Sequence, residues 1–170
     1  RAGTPLAGLL FGGGQESGRR AGTENLAGIV GLASALEPAL AEREAAGARI
    51  ASLRDRLEAG VLDAVENVWV NGGAAERLPN VTNLSFAGVE PEALLARLDL
   101  EGVAASAGSA CTSGVLERSH VIAALGAPEW ADAAIRFSLG GPTTQTEVDR
   151  VLEIVPPVVE SLRRPTRIPA

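Results

Sequence analysis

The single thiol of the 170-residue sequence is Cys111, set in Ser106-Ala107-Gly108-Ser109-Ala110-Cys111-Thr112-Ser113-Gly114, where no side chain is bulky or charged. Thiolates are strong nucleophiles, and an ordinary cysteine with a pKa of about 8.5 is only a few per cent ionised at neutral pH. No basic residue lies close to Cys111 in sequence, so a reactive role requires a base or a favourable environment supplied from elsewhere. A loop of small residues between a strand and a helix is a common place for function. A lone cysteine also serves as a small buried hydrophobe, and the residue types alone leave both readings open.

Three further features could join it. His120 stands at the start of a short helical pattern, where an acid or base role competes with plain capping or packing. Arg136 lies in Ile135-Arg136-Phe137-Ser138-Leu139, whose alternation puts Arg136 and Ser138 on one face and the apolar residues on the other. A guanidinium there is either a bidentate clamp for a carboxylate or a solvated residue on the wet face of a strand. Residues 12–23, Gly12-Gly13-Gly14-Gln15-Glu16-Ser17-Gly18-Arg19-Arg20-Ala21-Gly22-Thr23, offer backbone N–H groups, two arginines and a helix start at Thr23 that together suit an anion. The segment lacks the Gly-Lys-Ser/Thr ending of a P-loop, and it also reads as a flexible linker.

The elements that must position these residues follow from hydrophobic periodicity. Leu26, Ile29, Val30, Ala33 and Leu36 predict a helix from Glu24 with Thr23 as N-cap, interrupted or kinked at Pro38. Ile50, Leu53, Leu57 and Val61 continue as a long amphipathic helix, with Glu42, Arg43, Glu44, Arg49, Arg54, Asp55, Arg56 and Glu58 on its wet side. Strands are predicted at Val68–Val70, Val81–Phe86, 103–106 and 135–139. Pro91 opens a helix that Gly102 stops, Ser119 caps a short helix ending at Gly126, and Thr144 with Glu147 forms a capping box for the last helix, which is expected to kink at Pro156-Pro157. The sum is an α/β fold: three or four strands covered by helices, with one long linking helix.

Composition limits the partners. A hydrophobic content of 46% supports a core, and a net charge of −6 argues against nucleic acid. One cysteine and one histidine cannot fill a tetrahedral zinc site, and one cysteine cannot form an internal disulfide. With neither a long apolar run nor a signal-peptide pattern, the expectation is a cytoplasmic protein without a membrane span.

The Gly-Gly-Gly-Gln-Glu segment leading to Arg20-Ala21-Gly22-Thr23-Glu24-Asn25, then Leu78-Pro79-Asn80-Val81, the Cys111 loop, Ser119-His120-Val121 and Ile135-Arg136-Phe137-Ser138-Leu139-Gly140 occur in one order that resembles the group I cysteine desulfurases. The resemblance spans nearly the whole chain. It implies the C-terminal portion of a fold type I, class V aminotransferase-like enzyme dependent on pyridoxal phosphate. Such an enzyme converts L-cysteine to L-alanine and a persulfide, here on Cys111, for delivery to a sulfur acceptor or iron–sulfur scaffold protein. By the same resemblance Arg136 holds the substrate carboxylate, and Thr23 reaches the cofactor phosphate of a second copy in a homodimer. Residues 24–170 then correspond to the small C-terminal domain and 1–23 to a Gly-rich remnant of the large-domain boundary, expected to be mobile alone. Ala107 replaces the serine usual in the loop, and Gly141-Pro142 replaces larger residues. All fifteen basic residues are arginine, so the lysine that binds the cofactor is absent and the isolated chain is expected to be inactive. The alternative is a stand-alone persulfide carrier or regulatory interaction domain that needs no pyridoxal phosphate.

Overall fold

A computed structural model describes residues 3–5, 7–107, 120–126 and 133–163. The chain divides into two compact units, Arg1–Arg43 and Glu44–Ala170. Its elements in order are a 3-10 turn at Gln15–Gly18, helix α1 (Leu26–Ala64), strands β1 (Val68–Val70) and β2 (Val81–Phe86), helix α2 (Pro91–Leu100), strand β3 (Ser106–Ala107), helix α3 (His120–Ala124), strand β4 (Ala133–Ser138) and helix α4 (Gln145–Arg163).

In the first unit, the Gly-rich chain folds back on itself. The Ala21 N–H donates to the Leu10 carbonyl at 3.2 Å, and the Gly22 N–H to Gln15 Oε1 at 3.3 Å. Glu16 and Ser17 take the left-handed conformation, with φ of 53° and 57°, which is costly for residues carrying a Cβ. The N-cap of α1 is Asn25 and not Thr23: Asn25 Oδ1 accepts from the Gly28 N–H at 3.0 Å, satisfying one of the orphan donors of the first turn. Of the interruption or kink expected at Pro38, the interruption does not occur: the helix runs on through it. The ring removes one backbone donor, and the flanking alanines, leucines and glutamates are strong enough helix formers to carry the helix past it.

The second unit is a two-layer α/β structure. Its sheet is antiparallel throughout in the order β1-β2-β4-β3, so the two longest strands, β2 and β4, pair at its centre. Opposite partners fall on one face. Leu84 faces Ile135, Thr82 faces Phe137 and Phe86 faces Ala133, and all six are buried. Against that face pack Leu53, Leu57 and Val61 of α1, Leu94 and Leu98 of α2, and Val148, Ile154, Val155, Val158 and Val159 of α4. Behind the sheet, Ile122 of α3 meets Ala134 in a small separate cluster.

The local signals account for most boundaries. Pro91 occupies the first turn of α2, and the stop expected at Gly102 is a Schellman motif: Gly102 N–H bonds Asp99 O at 2.9 Å and Val103 N–H bonds Leu98 O at 2.8 Å. That bond explains why the third strand begins later than 103. With its N–H committed to the helix end, Val103 cannot open a ladder, and pairing starts at Ser106. Thr144 and Glu147 form the expected capping box, with Thr144 N–H to Glu147 Oε2 at 2.8 Å and Glu147 N–H to Thr144 Oγ1 at 3.3 Å. Helix α4 includes Pro156 and Pro157 without ending.

Four of the residues expected on the wet side of α1 also fasten it to the rest of the unit. Arg49 donates to the carbonyls of Gly141 and Thr143 in the loop after β4, Arg54 to the carbonyl of Leu78, and Arg56 pairs with Asp149 of α4 at 2.6 Å. Glu58 is largely shielded. It accepts two bonds from the Arg77 guanidinium, at 2.9 and 3.2 Å, and one from the buried Thr82 hydroxyl at 2.7 Å. Burial by itself raises its pKa, but the bonds from Arg77 and Thr82 together with the nearby charges outweigh that and hold it below the ordinary carboxylate value. At the other end of the core, Arg163 donates to Ala87 O and Glu66 O, at 2.8 and 2.9 Å, tying α4 to the start of β1 and the end of β2.

Two outcomes follow. Replacing Asn25 by Ala removes the cap of α1 and should cost about 1 kcal/mol of stability in chemical denaturation. Replacing Glu58 by Ala strands the buried Thr82 hydroxyl and the Arg77 fork and should cost about 2–3 kcal/mol. Because the folded-state pKa of Glu58 is depressed, its stabilisation is complete above the ordinary carboxylate range and is lost as pH falls through the folded value. Denaturation curves should therefore show wild type and Glu58→Gln converging on acidification; a gap independent of pH would contradict the assignment.

Candidate functional site

Alternation along β2 and β4 that buries Leu84, Ile135 and Phe137 necessarily turns their neighbours to the other face. Arg136 stands there, exposed, directly opposite Asn83 of β2 on one side and Ser106 of β3 on the other. This is the face expected for Arg136 from its strand pattern. Its guanidinium has no hydrogen-bond or ion-pair partner among the described residues. Its cross-strand neighbours are neutral, so a single positive fork stands in a polar row with no acid opposite it.

Asn83 is itself held. Its Oδ1 accepts from Asn71 Nδ2 at 2.7 Å, and its carbonyl accepts from the Asn71 N–H at 2.9 Å. Asn71 is buried, and its Nδ2 also donates to the Oγ of fully buried Ser85 at 2.8 Å. The Oδ1 of Asn71 has no partner among the described residues. An orphaned buried acceptor is uncommon, and here it belongs to the residue that fixes the one beside Arg136. Sequence reasoning passed over Asn71, Asn83 and Ser85. The signal was nevertheless present: Asn83 alternates with Thr82 and Leu84 just as Arg136 alternates with Ile135 and Phe137.

The other candidates are distributed differently. His120 is exposed at the first position of α3, the helix whose Ile122 packs on Ala134, two residues from Arg136 in β4. Cys111 and its loop, and the proposed cap Ser119, lie outside the described residues. In the first unit, Thr23 is exposed, but Arg20 does not reach outward for an anion: its guanidinium donates to the carbonyls of Gly22 and Thr23, at 3.1 and 3.2 Å, and lies 4.0 Å from Glu16. The anion cradle expected at 12–23 therefore lacks one of its two arginines. A pyridoxal phosphate site is incomplete in this chain, because Thr23 can offer a hydroxyl to a phosphate but there is no lysine to bind the aldehyde. No cluster able to hold a metal ion occurs among the described residues, nor is any described helix long and apolar enough to cross a membrane.

The chain is 51% identical over 164 residues to the cysteine desulfurase NifS of Azotobacter vinelandii and 48% identical to a cysteine desulfurase of Gluconacetobacter diazotrophicus, each match covering 96% of this chain and 41% of the relative. A solved structure of a NifS-like protein superposes with a TM-score of 0.77 at 32% identity, covering 95% of this chain and 41% of that one. The chain thus spans about two fifths of the length of the curated relatives it matches. The model of the family described as aminotransferase class-V matches residues 12–151, most of the sequence, and the chain belongs to that family.

Proposed function

We propose that this chain is the C-terminal portion of a pyridoxal-phosphate-dependent cysteine desulfurase in which Arg136 binds the carboxylate of L-cysteine and Cys111 receives its sulfur. The observation that carries the reading is Arg136, an exposed guanidinium without a partner among the described residues, standing on the sheet face away from the core. A stability role does not account for it. The near-50% identity to relatives named cysteine desulfurase supports the substrate class.

The cofactor, when bound, supplies the electron sink that carbon–sulfur cleavage requires, and the lysine that holds it is not among the residues of this chain. The residues of this chain do the rest. Arg136 fixes the substrate through its carboxylate, which orients the thiol end. The Cys111 thiolate bonds to the substrate sulfur as the carbon–sulfur bond breaks, and the electron pair and a proton end on the carbon that becomes the methyl group of L-alanine. Cys111 is left as a persulfide for transfer to an acceptor, such as an iron–sulfur scaffold protein or a tRNA-thiolation carrier. The setting is the cytoplasm, where a lone thiol stays reduced.

The apolar stripe of α1 supports a larger assembly. Leu26, Ile29, Val30, Leu36 and Leu40 recur at helical spacing and are each at least 50% exposed, and Leu9 and Phe11 are 90% exposed. A soluble helix does not display such a stripe without a covering surface. The remainder of the enzyme and a second copy of the chain, with Thr23 reaching the neighbour's cofactor phosphate, supply that cover.

Intact-mass analysis of the full-length enzyme with L-cysteine should show one added sulfur atom mapping to Cys111, and none in Cys111→Ser; sulfur on no cysteine of an active enzyme would remove Cys111 from the mechanism. Arg136→Ala should leave stability within about 0.5 kcal/mol, as for a surface residue. The same variant should raise the KM for L-cysteine by about tenfold or more through loss of a charge-assisted bond. A KM unchanged by that substitution would place the carboxylate elsewhere.

A further inference from the structure

We infer that Asn83 is a second donor for the substrate carboxylate, set beside Arg136 and aimed by Asn71; this rests on the reading of Arg136 as the carboxylate-binding residue. Asn83 and Arg136 are direct cross-strand partners, so their side chains leave the sheet on the same face within reach of one small ligand. A carboxamide has a donor end and an acceptor end. The acceptor end of Asn83 is occupied, since Oδ1 takes the bond from Asn71 Nδ2 at 2.7 Å. Its NH2 group therefore points away from Asn71, meets no acceptor among the described residues, and belongs to a side chain only half-buried.

The holding residue is rigid by construction. Asn71 is 5% exposed and makes three bonds to β2, through its N–H to Asn83 O and through Nδ2 to Asn83 Oδ1 and Ser85 Oγ. Its own Oδ1 has no partner among the described residues. A carboxylate offers about four lone-pair positions, and a bidentate guanidinium uses two of them. The amide NH2 of Asn83 takes a third. The neutral row around Arg136 contains no acid to compete, which selects an anionic, planar group.

The test compares two competitive ligands of the full-length, cofactor-loaded enzyme: L-alanine, which has the carboxylate, and L-alaninamide, in which a neutral amide replaces it. Asn83→Ala should raise the inhibition constant of L-alanine about tenfold or more and that of L-alaninamide no more than about threefold. Asn83→Asp keeps an oxygen for Asn71 and so spares the structural bond, yet it should weaken L-alanine more than Asn83→Ala does while binding L-alaninamide better than that variant. Equal shifts for both ligands in both variants would reduce Asn83 to a structural residue and overturn the proposal. Arg136→Ala separates the two layers of the argument. If it abolishes the preference for L-alanine while the Asn83 variants do not, the proposal falls and the role of Arg136 stands; if it leaves the preference intact, the carboxylate is not bound here and both fall.

Discussion

The pairing of β2 with β4 is the constraint on which the second unit depends. Six residue pairs, from Val81 opposite Ser138 to Phe86 opposite Ala133, fix which side chains enter the core and which face away. A slip of one residue would send Leu84 and Ile135 to the open face and carry Asn83 and Arg136 into the packed layer, burying a guanidinium without a partner. The register therefore sets core and site together. Hydrophobic burial of Leu84, Phe86, Ile135 and Phe137 against three helices pins it, and the position of Arg136 is a by-product of that burial.

Polar bonds refine what burial sets. Glu58 enters the edge of the core to receive Thr82 and Arg77, joining α1 to the central strand on the packed face. Asn71 does the corresponding work on the open face, joining the end of β1 to Asn83 and Ser85. Arg49 and Arg163 grip carbonyls at the two ends of the layer, in the loop after β4 and at the turn into β1. The sheet is thus held on both faces by side chains that a hydropathy pattern registers only as polar.

That difference explains which parts of the molecule were legible in the sequence. Strands β1, β2 and β4, the Pro91 start and Gly102 stop of α2 and the capping box at Thr144 were legible because each rests on a local rule, either alternation or a terminus motif completed within a few residues. The aminotransferase family followed from motifs spread along the chain, and a sheet of three or four strands from hydrophobic periodicity. The N-cap of α1 was misplaced by two residues because Thr23 and Asn25 are both acceptable caps, and only the observed bond to Gly28 chooses between them. Pro38 was read as an interruption or a kink because its local cost is large, while the favourable helix propensities around it are distributed over many residues. The start of β3 was misread because the preceding Schellman bonds consume the Val103 N–H, a competition that strand propensity does not include.

The candidate site was half legible for a related reason. Arg136 could be placed on the open face from its own strand alone, since alternation is an internal property of five residues. Asn83 required a second step, the knowledge that β2 lies beside β4 and in which register, and the alternation of each strand leaves that register free. Asn71 required a third, because its bonds run from a turn to side chains that alternate on a neighbouring strand. Each step outward from the charged residue depends on one more non-local contact, and so the charged centre of a site can be read from a sequence while the neutral residues that orient its ligand are found only when the strands are brought together.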